Sequence, residues 1–226
     1  MIPKRTVRFL STISCIAVLA FTSGCAEQEN YDPEITGNVI GLHRSSTPAE
    51  IVIPAPPKEK SVYIAKSIPA EWIPPRYVEK KWKAIVIHHS ATDKGSAEIF
   101  DKYHKNGKGW EGVGYDFVIG NGNGSGNGQV QPTFRWRLQK TGAHCRTDYT
   151  NWANKDSIGI CLVGNFNNTF PSSTQISSLV KLVRFLSNRY NIPKSRIYGH
   201  NTTPRHSTKT DCPGKKFSVK KFKSML

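Results

Sequence analysis

The chain has 226 residues, with 32 Lys and Arg against 16 Asp and Glu. That length fits one ordinary domain with appendages. The basic balance favours a polyanionic partner: nucleic acid, anionic lipid or an acidic cell-wall polymer. No nucleic-acid motif accompanies the basic residues, so a wall or membrane surface is the better partner, although a solvated charged face needs none.

The N-terminus reads as an export signal. Lys4, Arg5 and Arg8 precede an apolar run, "FLSTISCIAVLAF", too short to span a bilayer comfortably. "TSGC" follows, and small residues directly before Cys25 predict a lipoprotein signal, with 1–24 removed and Cys25 lipidated. Thr22 stands where such signals usually carry leucine. Loss of 1–24 removes three basic and no acidic residues, so 32 becomes 29 against 16, a formal charge of +13. The expected location is the periplasm or cell envelope, with membrane contact only through the lipid on Cys25. Residues 25–80 hold eight of the fourteen prolines and read as an extended tether. The remaining domain, 81–226, is large enough for a real core, since chains of about 150 residues bury roughly 68–70% of their unfolded surface.

Within that domain "AIVIH" (84–88) predicts a buried strand that runs into two adjacent histidines, His88 and His89. Successive strand side chains face opposite ways, so only one of the pair can serve a given site. A helix is expected over about 96–105, with Ile99, Phe100 and Tyr103 at helical spacing. "GVGYDFVIGN" predicts a strand, and "NGNGSGNG" a turn that returns through "QVQPTFRWRL" as a hairpin. "DSIGICLVGNF" (156–166) is another buried strand. In "SSTQISSLVKLVRFLSNRY", Ser172 and Gln175 fit a capping box, and Ile176, Leu179, Val180, Val183 and Leu186 form one apolar stripe. "RIYGH" predicts a short final strand ending at His200, before a basic tail with six lysines in 209–223. Strands separated by helices indicate an α/β domain.

Cys15 leaves with the signal and Cys25 carries the lipid, so Cys145, Cys161 and Cys212 remain. An odd count outside the cytosol leaves at least one outside any intramolecular disulfide. No CxxC pair is present, which excludes an ordinary structural zinc finger. His88 or His89 at one strand end, His200 at another and Cys212 in "TDCPG" do supply two imidazoles and a thiolate. That set suits Zn²⁺, and three protein ligands leave a fourth position for water, the arrangement of a catalytic site.

"IVIHHSAT", "GWEGVGYDFVIG", "TGAH", "SIGICLVGNF" and "GH…TDCPG", in this order, resemble the type 2 N-acetylmuramoyl-L-alanine amidases. That family includes the phage lysozyme-type amidases and the peptidoglycan recognition proteins. The resemblance covers roughly 69–226 and implies a single mixed central β-sheet flanked by helices. It implies that His88, His200 and Cys212 hold zinc, with His89 packed in the opposite layer. Tyr115 becomes the active-site tyrosine, Thr210 the second catalytic residue, beside Lys209, and His144 a substrate-binding or supporting residue. The implied reaction is hydrolysis of the amide between N-acetylmuramic acid and L-alanine of peptidoglycan, by a monomer. The segment from His200 to Cys212 is longer than usual and carries His206, a competing ligand. Cys161 occupies a strand position where some relatives have glutamate. Cys145 and Cys161 fall on adjacent elements of such a fold; they either bridge or leave Cys161 a small buried hydrophobe. Two rival functions fit the same motifs: a peptidoglycan receptor without activity, and an amidase acting on released anhydro-muropeptides.

Overall fold

The computed structural model describes residues 68–226; the export signal, Cys25 and positions 26–67 of the expected tether lie outside them. Five strands build the sheet: β1 (Ala84–His89), β2 (Phe117–Ile119), β3 (Val130–Pro132), β4 (Ser157–Leu162) and β5 (Ile197–Gly199). Their spatial order is β3-β2-β4-β1-β5. β2, β4, β1 and β5 run parallel, while β3 pairs antiparallel with β2 at the edge. The mixed sheet expected from the sequence is therefore present. Every residue of β1 and of β4 is buried. Covering on both faces is why these strands are apolar almost throughout.

Register then sorts the side chains. Ile85 and Ile87 of β1 lie beside Ile158 and Ile160 of β4, in one large core with Leu162, Ile197 and Trp136. The helix α4 (Ser173–Tyr190) closes that core with Leu179, Leu182, Val183 and Leu186. Its N-terminus carries the expected capping box: Gln175 N donates to Ser172 Oγ at 3.0 Å, and Ser172 N donates to Gln175 Oε1 at 3.1 Å. Leu182 joins the buried stripe, whereas Ile176 and Val180 lie on its partly buried margin. On the opposite face Val86 packs with Cys145 and Ala153, and Cys161 packs with Val118, Val113 and Phe100.

The helix α1 (Ala97–Lys108) starts where Ser96 Oγ accepts the Ile99 amide and stops at Gly109, whose φ of 65° needs no Cβ. Only Phe100 of its expected apolar trio is buried; Tyr103 is exposed. Three expectations shift. The strand drawn through "GVGYDFVIGN" shrinks to Phe117–Ile119. The return strand ends at Pro132, which has no N–H to donate, and Phe134–Arg137 turns into a short helix, α2. Thr133 caps it, and the turn drives Trp136 into the core beside Trp82 and Phe117. β4 stops at Leu162 rather than running to Phe166. Two further short helices, α3 (Trp152–Asp156) and α5 (Val219–Ser224), complete the body.

Residues 68–80, which composition assigns to the tether, pack onto this body. Trp72 is 3% exposed and its carbonyl accepts from Trp136 Nε1 at 3.1 Å. Glu79 receives both Arg189 nitrogens at 2.6 and 2.7 Å and the Tyr190 hydroxyl at 2.7 Å.

Candidate metal centre

The register of β1 with β5 pairs Ile87 with Gly199, so the next residues, His88 and His200, leave adjacent parallel strands at the same level. Their rings lie 4.5 Å apart. The carboxyl ends of parallel strands are where α/β sheets place their sites. Cys212 comes from the loop after β5, held by Asn201 N–H, which donates to its carbonyl at 2.7 Å. Cys212 Sγ lies 3.6 Å from His88 Nδ1 and accepts the His89 amide at 3.4 Å. One ligand atom from each of His88, His200 and Cys212 falls within 4.8 Å of the others. Nitrogen and sulfur ligands about 2.0–2.3 Å from a tetrahedral zinc sit roughly 3.3–3.7 Å apart, so the His88–Cys212 separation already fits.

His144 fixes which nitrogen of His88 is free. His144 Nε2 lies 3.4 Å from the Ser157 carbonyl, which can only accept. A neutral His144 therefore carries its proton on Nε2 and accepts at Nδ1, 3.1 Å from His88 Nε2. His88 donates there and keeps its Nδ1 lone pair directed toward Cys212. This is the arrangement by which an outer partner orients a metal-binding histidine. Burial, with the charge of His200, pushes His144 down to about 3; burial, with His206 and His89, pushes His200 down to about 4. His88 is held well below its ordinary value by burial and the neighbouring imidazoles. All three rings are neutral at physiological pH. Burial pushes the Cys212 thiol up to about 12, with the His89 amide acting against it. A cation bound there would take the place of that proton.

His144 is only 7% exposed, with its ring against Gly159 and Gly142. A Cβ on Gly159 would stand 2.5 Å from the His144 ring. The structure thus places the His144 ring against His88. His89, on the other face, accepts the Phe166 amide at 3.1 Å.

Tyr115 packs its ring 5.2 Å from that of His88. Burial, then the Cys161 and Cys212 thiols, hold its hydroxyl well above the ordinary tyrosine value, so it remains a proton donor. A groove lined by Ser90, Thr92, Lys94, Phe100, Tyr103 and Tyr115 opens beside it. Thr210 is half-buried, and its hydroxyl oxygen accepts the Cys212 amide at 3.1 Å, which leaves its O–H free to donate. Cys145 and Cys161 are both free thiols in separate core clusters, so the bridge between them does not form. His104 Nδ1 accepts the Gly114 amide at 3.2 Å, a structural tie. Asp116 stands within the "GYDF" segment with no motif of its own. It is fully buried, with Oδ2 accepting the Gly159 amide and Oδ1 without a partner, and burial raises it to about 7.

The family model described as N-acetylmuramoyl-L-alanine amidase matches residues 78–215. The chain is 35% identical to peptidoglycan-recognition protein SC2 of Drosophila melanogaster over 138 residues, 57% of this chain and 66% of that protein. It thus spans just under two thirds of that relative. It is 30% identical to peptidoglycan-recognition protein 2 of Holotrichia diomphalia over 148 residues, 62% of this chain and 71% of that one. Among solved structures, the N-acetylmuramoyl-L-alanine amidase LysC from Clostridium intestinale superposes with a TM-score of 0.52 at 26% identity, covering 67% of this chain and 94% of LysC. With a family model spanning more than half its length, the chain belongs to the N-acetylmuramoyl-L-alanine amidase family.

Proposed function

We propose that the chain is a zinc-dependent amidase that cleaves the bond between N-acetylmuramic acid and L-alanine of peptidoglycan in the cell envelope. The observation that carries this reading is the convergence of His88 Nδ1 and Cys212 Sγ, 3.6 Å apart, with His200 alongside. Zn²⁺, when bound by these three, supplies a Lewis acid and an activated water. His144 orients His88 through its Nδ1. The Tyr115 hydroxyl donates to the substrate carbonyl oxygen as negative charge develops there, a contribution that is strongest when the donor is fixed beforehand. The Thr210 O–H, its oxygen held by the Cys212 amide, orients water or the same oxygen. Peptidoglycan is the partner, which the excess of basic residues suits.

The rival receptor reading needs a centre that cannot bind metal. The intact ligand trio and a protonated Tyr115 speak for the enzyme. Elemental analysis of the purified chain, with release of L-alanine amino groups from peptidoglycan, tests the proposal. One zinc per chain and metal-dependent release are expected; peptidoglycan binding with neither would establish the receptor instead. The export signal and the lipid on Cys25 rest on residues 1–25 alone. Intact mass of a membrane fraction beginning at acylated Cys25 is the expected result there.

A further inference from the structure

His200 belongs to a second group of donors. One ligand atom each from Cys145, His200 and His206 lies within 4.8 Å of the others, and the rings of His200 and His206 are 4.4 Å apart. Two chain segments build this group and are laced together behind it. Thr147 forms a β-bridge with His206, Asp148 N–H donates to the Arg205 carbonyl at 3.0 Å, and Ser207 N–H donates to that of Arg146 at 3.2 Å. Arg205 is ion-paired with Asp148 at 3.1 Å. Arg205 also holds a φ of 57°, a left-handed conformation unfavourable for arginine, immediately before the histidine. Cys145 is 1% exposed, and Thr147, opposite His206, keeps a buried hydroxyl without a partner. His206 lies in the extended segment between His200 and Cys212, and neither it nor Cys145 has a part in the proposed reaction.

We propose that Cys145, His200 and His206 form a second position for a thiophilic divalent cation, distinct from the first centre but sharing His200 with it. A thiolate and two imidazoles are the donors such ions favour. A neutral imidazole has one nitrogen lone pair and one N–H. His200 therefore serves one cation at a time, and a cation held with Cys145 and His206 withdraws it from His88 and Cys212. Excess metal is accordingly self-limiting for the first centre.

Cobalt(II) titration of the full-length Cys212→Ser chain tests this without substrate, and so independently of the amidase proposal. The first centre then has no thiolate, and any thiolate-to-cobalt charge-transfer band in the near ultraviolet must come from another cysteine. A band is expected in Cys212→Ser and again in Cys212→Ala, both checked for folding by circular dichroism. It should vanish when Cys145→Ser is added and be lost with His206→Ala. Absence of the band at saturating cobalt in a folded chain, or its survival in Cys212→Ser/Cys145→Ser, would overturn the second position.

Discussion

The two faces of β1 and β4 are made of alternating residues of the same strands, yet they do different work. The face under α4 carries Ile85, Ile87, Ile158, Ile160 and Leu162, large aliphatic side chains locked against Leu179, Leu182 and Leu186. The other face carries Val86, His88, Gly159 and Cys161, with His144, Cys145 and Tyr115 laid over it. Strand side chains alternate at every residue, so a single pair of strands can be a packed wall on one side and a bed for clustered imidazoles and thiols on the other. Small residues on the second face are what admit the imidazoles. Gly159 shows this most directly, because even a methyl group there would meet the His144 ring.

If the two faces are separable, substitutions on the ligand face should cost metal and rate while sparing stability, and those on the packed face the reverse. The largest effect is expected for Cys212→Ser. A hydroxyl is a poor zinc ligand beside a thiolate, so the first centre should lose its metal and activity should be abolished, as read by release of L-alanine amino groups from peptidoglycan. Next comes Tyr115→Phe, which keeps the ring and removes the donor. It should lower kcat by about 10²–10³ with zinc content unchanged. Near-wild-type turnover would remove Tyr115 from the chemistry.

Gly159→Ala tests the link between the sheet and the centre. Displacing His144 from His88 should weaken zinc binding by about 10–100-fold, the range found when outer partners of ligands are lost. Competition with a chelator measures it, and His144→Ala should give a similar shift. On the packed face, Leu179→Ala should lower unfolding stability by about 2–5 kcal/mol while leaving zinc stoichiometry and the turnover of folded protein intact. Denaturant titration alongside a metal assay distinguishes the two classes.

The smallest expected effect is a change in pH dependence. The Asp116 carboxyl, raised to about 7 in the fold, ionises much earlier in the unfolded chain. As pH climbs from about 4 through about 7 the unfolded state loses its proton first, so this group removes stability over that window. Asp116→Asn keeps an acceptor for the Gly159 amide and should flatten that slope. Thermal unfolding of both chains from pH 4 to 8 reads it directly.

Much of this division was legible in the sequence. An apolar run ending on His88 announced a buried strand with a polar terminus, and Ser172 with Gln175 marked the start of α4. The residue types of the candidate metal trio point to zinc on their own, but the choice of His88 over His89 comes only from the ordered motifs, because the register that brings these positions together is long-range. The sequence leaves His144 open between a supporting and a substrate-binding role, because its burial depends on Gly142 and Gly159, which come from different segments. Helices α2, α3 and α5 are too short for helical periodicity to show, although Thr133 directly after Pro132 is a capping signal for the first of them. Trp72 was hidden among prolines; only the three-dimensional core reveals the space it fills.

The most direct test of the account is mass spectrometry of the products from purified peptidoglycan, comparing zinc-loaded and zinc-stripped chain. Stem peptides with a free L-alanine amino group and glycan strands with freed lactyl carboxyls are expected, formed only with zinc present. Cleavage at any other bond, or the same products from zinc-stripped protein, would contradict it.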